Sequence, residues 1–256
     1  NLGAIALRLN SGETPEVLTD SQLFYGDDLF TDFGTTLSEG MIALRRDLAE
    51  RTKLADLAKE YPIVEIFHSV QGEAFHAGVP HVFIRFGTCN LRCEWCDTDF
   101  LTYSTMTALD ILGQVMKYDC KRIIFTGGEP MLHDLWPLQR LLKRRGYNLS
   151  VETNGTIEIP DGLLDWVCVS PKDQMYPSVK IQQRTGDELK CVYVGQDLTM
   201  YDDLRQGFKH AFLQPCYMDT ESIEWNGKNF AETEAVVKTN PGWRLSLQTH
   251  KWMGVD

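Results

Sequence analysis

Hydrophobic positions along the chain change period near residue 60. Between Ser38 and Glu60, the residues Leu44, Leu48, Leu54 and Leu57 recur near helical spacing among Arg, Lys and Glu, the pattern of an amphipathic helix. Tyr61-Pro62 ends that pattern, because a residue preceding proline is pushed out of the helical region. Upstream, residues 10–40 are rich in Ser, Thr, Gly and Asp and hold no sustained period. Beyond Pro62, β-rich runs fall at His81–Phe86, Arg122–Thr126, Leu149–Glu152, Trp166–Ser170, Leu189–Val194, Ala211–Gln214 and Trp243–Gln248. Helical stretches lie between several of them. Thr107 is placed to cap a helix over Ala108–Asp119, and Leu132–Arg145 carries Leu138, Leu141 and Leu142 before a stop at Gly146. Strands alternating with helices predict parallel pairing through crossover units. Six or seven such strands fit an open, partial α/β barrel better than a closed eightfold one. Residues 1–60 read as an N-terminal extension packed on a main domain of residues 61–256.

The 256 residues are 43% hydrophobic and 24% charged, an ordinary globular composition that excludes collagen-like and disordered classes. No window approaches the length of apolar residues that a membrane span needs. The 25 basic against 36 acidic residues leave a net charge of −11, a poor basis for binding nucleic acid. No charged leader followed by an apolar core opens the chain, so a cytoplasmic location is expected.

Seven cysteines make an odd count, and a disulfide framework would favour an even number in a shorter chain. Cys120, Cys168, Cys191 and Cys216 stand singly in apolar surroundings, where a cysteine serves as a small hydrophobe. Cys89, Cys93 and Cys96 instead crowd into one loop directly after the run His81–Phe86. Three thiolates so spaced can converge on one soft metal site. Structural zinc usually takes four ligands, often as two C-x2-C pairs, and no second pair exists here. An iron–sulfur cluster held by three thiolates keeps one iron open for an external ligand. Downstream, Gly127-Gly128-Glu129-Pro130 closes the run Arg122–Thr126. Its glycines let backbone approach a ligand closely, and its carboxylate can accept from an ammonium group.

The C-x3-C-x2-C spacing after a first barrel strand, with Trp95 before the last cysteine, resembles the radical S-adenosylmethionine (SAM) superfamily. That resemblance implies a [4Fe–4S] cluster on Cys89, Cys93 and Cys96 whose open iron binds SAM, and a 5′-deoxyadenosyl radical as the reactive species. It also implies SAM contacts at Gly128, Glu129 and the turn Ser170-Pro171-Lys172. Within the superfamily, the segment Tyr61–Glu73, followed by Gly78-Val79-Pro80 and Phe83-Ile84-Arg85, is similar to the start of 7-carboxy-7-deazaguanine synthases. Val151–Thr156, Ser170–Lys172, Leu213–Pro215 and Leu247–Lys251 continue the likeness to the end of the chain. The family converts 6-carboxy-5,6,7,8-tetrahydropterin to 7-carboxy-7-deazaguanine with loss of ammonia, a ring contraction that supplies the core of queuosine and related bases.

Carried over residue by residue, the resemblance implies pterin contacts at Val70, Gln71, Gly72, Glu73 and Thr126. Arg85 would pair with the substrate carboxylate as a bidentate fork. Thr98 would supply a hydroxyl to Mg2+, which prefers hard oxygen ligands. A flavodoxin- or ferredoxin-type reductant and a homodimer are implied as well. One position departs: Ala74 stands where the family has glycine, and a positive φ there would cost about 1 kcal/mol. His250 reads as a hydrogen-bonded structural histidine rather than a catalytic one. Two other readings stay open on the residues alone: a different radical SAM reaction, such as activation of a glycyl-radical enzyme, and a cluster-binding regulatory module.

Overall fold

The computed structural model describes residues 53–160 and 162–254. Every predicted β-run forms a strand, and two unpredicted strands join them. In chain order they are β1 (Glu60–Val70), β2 (Pro80–Phe86), β3 (Ser104–Thr107), β4 (Arg122–Gly127), β5 (Asn148–Thr153), β6 (Trp166–Val169), β7 (Gly186–Tyr193), β8 (Phe208–Pro215) and β9 (Arg244–Leu245). They make one sheet in the order β3-β1-β2-β4-β5-β6-β7-β8-β9. From β2 to β9 every neighbouring pair is parallel. The sheet is open at its ends, the expected partial barrel. β1 runs antiparallel to β2 and β3 at one edge.

The amphipathic helix expected over residues 38–60 lies mostly outside the described residues; positions 53–58 are helical. The chain is already extended at Glu60, ahead of Tyr61-Pro62, because Glu60 pairs with Thr107 of β3. Leu57 is buried in the main core, and Asp56 pairs with Arg140 at 3.5 Å. The last turns before β1 are thus part of the core domain's packing.

Helices coat the outside of the sheet. Helix α1 (Ala108–Val115) starts at Thr107, whose hydroxyl accepts from the Asp110 amide at 3.1 Å while Asp110 accepts from the Thr107 amide at 3.0 Å. This reciprocal cap is worth about 1 kcal/mol. Helix α2 (Trp136–Arg144) ends before Gly146, whose φ of +74° reverses the chain into β5. Leu138, Leu142, Ile111 and Leu112 are fully buried against β1, β2, β4 and β5. Each such side chain contributes about 1.5–3 kcal/mol through burial. A short helix α3 (Asp202–Arg205) precedes β8, and its Leu204 joins Tyr201, Leu213 and Trp243 in a second apolar cluster.

Apolar spacing does not predict helix α4 (Ile223–Thr239). Thr233 is its one buried residue, so an apolar stripe is almost absent. The readable signals were polar: Ser222 caps the Trp225 amide at 3.1 Å, and Lys228–Glu232 and Glu234–Lys238 pair one turn apart. Helix α5 (Thr249–Met253) follows β9. The predicted strand Trp243–Gln248 is cut to Arg244–Leu245, because Ser246 turns inward and gives its hydroxyl proton to Gln214 Oε1 at 2.7 Å.

Candidate active site

With its outer face sealed by apolar packing, the sheet turns polar side chains inward. Two adjoining cavities, of about 200 and 460 Å3, open over the C-terminal ends of the parallel strands.

The smaller cavity is built around the loop that leaves β2. Thr88 holds a left-handed φ of +67°, with its amide on Phe100 O at 2.8 Å and its carbonyl accepting from the Glu129 amide at 2.9 Å. Cys89 and Cys93 are half-buried, Cys96 is exposed, and all three free thiols line this cavity. Burial pushes the Cys89 and Cys93 thiols up, while the Lys172 ammonium pulls the other way. Gly128 lies under the loop, where a Cβ would fall 1.7 Å from Thr88 O, so no side chain fits. Ser170 and Lys172 line the opposite wall, with Lys172 Nζ donating to the carbonyl and hydroxyl oxygens of Ser170, both at 2.7 Å.

Glu129 lies behind that wall instead of on it. Its carboxylate is fully buried and accepts from the Asn154 amide at 2.7 Å, Thr153 Oγ1 at 2.7 Å and the Met131 amide at 2.9 Å. With its oxygens so engaged, it ties the ends of β4 and β5 together. Asn154 faces the cavity in its stead, and Pro171 is likewise absent from the lining.

The larger cavity gathers Val70, Gln71, Gly72, Glu73, Arg85 and Thr126. Register sets Arg85 opposite Glu65 on β1, and Arg85 Nε donates to Glu65 Oε1 at 2.7 Å. A second guanidinium nitrogen donates to Thr98 Oγ1 at 3.2 Å. Gln71 Nε2 donates to Glu152 Oε1 at 3.0 Å, and Thr126 Oγ1 to Glu152 Oε2 at 2.9 Å. Glu73 pairs with Lys190 and accepts from Gln214 Nε2 and Gln248 Nε2, both at 2.9 Å. Lys190 also reaches Glu152 at 3.4 Å. Burial alone would raise both carboxylic acids and lower the lysine. The charge triad outweighs it, holding Glu73 and Glu152 below the usual carboxylate range and Lys190 well above the usual lysine range. His250 covers the α-carbon of Gly72, where a Cβ would lie 2.0 Å from its Nδ1, and Thr249 anchors the Gly72 carbonyl through its amide and hydroxyl. Ala74 does adopt a positive φ, +52°.

Glu73, Asp97, Thr98, Thr126, Glu152 and Gln248 line both cavities, so the two are one divided cleft. Glu152, Lys190, Gln214 and Gln248 join the site without a role expected from the sequence. A signal exists for Lys190: Glu188 and Lys190 stand at alternate positions around Leu189, with Cys191 and Val192 following, which aims both into the barrel.

A partial parallel barrel with three free thiols on the loop after β2 defines a class, the radical SAM enzymes. The model of the radical SAM superfamily matches residues 83–209. More narrowly, the chain belongs to the 7-carboxy-7-deazaguanine synthase family. It is 43% identical over 196 residues to the 7-carboxy-7-deazaguanine synthase of Bacteroides thetaiotaomicron, covering 75% of this chain and 97% of that protein. Identity to the Neisseria meningitidis serogroup B enzyme of the same name is 40% over 208 residues, covering 77% and 95%. A crystal structure of QueE from Escherichia coli matches with a TM-score of 0.61 and 28% identity, covering 75% of this chain and 95% of that one. These relatives set aside the glycyl-radical and regulatory-module readings.

The class implies a [4Fe–4S] cluster and SAM, and the residues present fit them. Among the described residues no three His, Cys, Asp or Glu side chains converge on a single-ion site. A cluster takes one thiolate per iron, so its ligands need not meet at a point. Beside the thiols, the buried indole N–H of Trp95 has no acceptor among the described residues, a donor that a bound group would satisfy.

Proposed function

We propose that the divided cleft carries out the family's reaction, conversion of 6-carboxy-5,6,7,8-tetrahydropterin to 7-carboxy-7-deazaguanine with loss of ammonia, for queuosine-type bases. The observation that carries the reading is the shared wall: Glu73, Thr126, Glu152 and Gln248 line both cavities, and Lys190 and Gln214 join the thiols in the smaller one, so the charge network reaches from the thiols to Arg85 and Gln71. Cys89, Cys93 and Cys96 would hold the [4Fe–4S] cluster, with Gly128, Ser170 and Lys172 toward SAM and Glu129 bracing them from behind. When bound, cluster and SAM supply a 5′-deoxyadenosyl radical that takes the hydrogen at C6 of the pterin.

The remaining work falls to the chain's own groups. Glu73 and Glu152 accept the donors on the guanine-like edge of the pterin, and Lys190 keeps both ionised as water leaves. Gln71 fixes Glu152, while Val70 and Gly72 form the surface beside the ring. Arg85 pairs with the substrate carboxylate through the guanidinium edge left by Glu65. Thr98, whose hydroxyl accepts from Arg85, would supply an oxygen ligand to Mg2+, which prefers such hard donors. Thr126 joins the substrate side through its bond to Glu152.

Cys96 is exposed, which suits electron delivery from a flavodoxin- or ferredoxin-type reductant. Three free thiols suit a reducing, cytoplasmic setting. No helix among the described residues is long and apolar enough to cross a membrane. The homodimer is carried over from the family, and light scattering on the purified chain checks it.

The test is an anaerobic assay with carboxytetrahydropterin, SAM and a chemical reductant, followed by mass. A product lighter by one ammonia supports the reading; SAM cleavage with the pterin left intact contradicts it. Thr98→Ala should weaken Mg2+ stimulation and leave uncoupled SAM cleavage intact. Unchanged Mg2+ dependence in that variant removes Thr98 from the metal.

A further inference from the structure

We propose that Phe75 is a positioning residue for Glu73, clamped in an aromatic–imidazole floor at the end of the barrel opposite the cysteine loop. The inference rests on the reading of Glu73 as a pterin contact.

Three residues connect ring and carboxylate. At one end, Glu73 enters the buried network of Lys190, Gln214 and Gln248. At the other, the Phe75 ring stacks on His210, with centroids 4.3 Å apart and planes at 25°, and on Trp166 at 4.9 Å and 30°. The Arg244 guanidinium lies 5.7 Å from the same ring. Trp166 and Arg244 open β6 and β9, and His210 lies near the start of β8, so the floor sits at the N-terminal ends of the parallel strands.

Between the two ends is Ala74 at φ +52°. A non-glycine residue keeps such a conformation only where its surroundings over-determine it. The Ala74 amide donates to Ser246 Oγ at 3.0 Å, Ser246 Oγ donates to Gln214 Oε1 at 2.7 Å, and Gln214 Nε2 returns to Glu73. The Phe75 amide donates to Glu188 Oε2 at 3.2 Å. These bonds fix the turn's polar groups, and the stacked ring fixes its exit direction. Phe75 is 42% exposed, so stacking rather than full burial holds it. Freed from the stack, Ala74 relaxes toward negative φ and the Glu73 carboxylate turns away from the cleft.

The experiment titrates 6-carboxypterin, a fluorescent aromatic analogue, and SAM separately onto the reconstituted full chain. Phe75→Ala should weaken carboxypterin binding about tenfold, or ~1.4 kcal/mol, and leave SAM binding within about twofold. Phe75→Trp, which can restack, should restore binding. Phe75→Leu keeps apolar bulk without stacking and should still lose affinity, which guards against a variant that fails to fold. The decisive cycle adds Ala74→Gly to Phe75→Ala. Glycine holds the turn without strain, so the penalty should shrink to about twofold. A tenfold penalty that persists with glycine at 74, or Phe75→Ala binding like wild type, overturns the positioning role. Glu73→Gln runs in parallel: if it binds carboxypterin like wild type, the reading of Glu73 fails and the positioning role falls with it. If Glu73→Gln loses affinity and Phe75→Ala does not, only the positioning role fails.

Discussion

Between Gly87 and Tyr103 the cysteine loop has no helix or strand, and Leu101 and Tyr103 are 62% and 47% exposed. Backbone bonds at Thr88 and Cys93, the buried side chains of Leu91 and Phe100, and bonds between Asn90 and both Asn154 and Thr156 hold it without regular structure. Across the same cleft, Glu73, Glu152 and Lys190 rise from a strand end and two central strands, and protein donors satisfy them. On the proposed assignment, the contrast follows from what each side would recognise. A pterin edge is read by fixed donors and acceptors, which gain by being ordered beforehand. Thiolates holding a cluster would take part of their order from it, since binding such a group is coupled to the folding of its ligands.

Breaking the loop side should therefore abolish loading while sparing the fold. Cys89→Ala, Cys93→Ala or Cys96→Ala each should remove the cluster's charge-transfer absorption and SAM cleavage together, with an unfolding midpoint close to that of wild-type protein lacking the cluster. A variant lacking all three that keeps full iron content would sink the assignment.

On the network side, the same kind of change should reach the fold itself. Lys190→Met leaves two buried carboxylates without their cation and should cost about 3–5 kcal/mol in denaturant unfolding. The pH dependence has a definite sign. In the wild type Glu73 and Glu152 are depressed, so their stabilisation is present above their unfolded range near pH 4.5 and is lost as pH falls through the folded values. Without Lys190, burial raises both acids, so the deficit of the variant should narrow as pH falls toward about 5. A deficit that is constant with pH would mean that lysine contributes packing and not charge.

The smallest effect concerns the turn joining network to floor. Ala74→Gly should raise stability by about 1 kcal/mol, or about 2–4 °C in a chain of this size, because it relieves a positive φ. No gain would mean that the turn relaxes without help.

The sequence exposes these two sides unequally. The three thiols are legible at once, since spacing alone marks them. The parallel strands are legible through short apolar stretches such as Ile123-Ile124-Phe125 and Trp166–Val169, set between turn and helix signals. β1 escaped because its half-buried residues alternate irregularly around a bulge between Ile63 and Glu65, and α4 because it buries so little. The charge triad stayed hidden for another reason. Glu73, Glu152 and Lys190 stand far apart in sequence, and only the curvature of the sheet brings them within bonding distance. Glu129 shows the converse: its motif marks the site, yet three donors turn its carboxylate into the wall.

The proposal puts Arg85, which lines the larger cavity four residues before the first cysteine, on the substrate side, and its ligand preference tests the account most directly. Carboxytetrahydropterin and SAM are titrated side by side onto Arg85→Ala and wild type under anaerobic conditions. Losing a charged pair at a partly exposed arginine should weaken substrate binding by about 2–3 kcal/mol, roughly 30- to 150-fold, with SAM within about twofold. Lysine at this position should recover only part, because it lacks the planar fork. Substrate affinity held within about twofold while SAM affinity collapses would move Arg85 to the cofactor side and contradict the division.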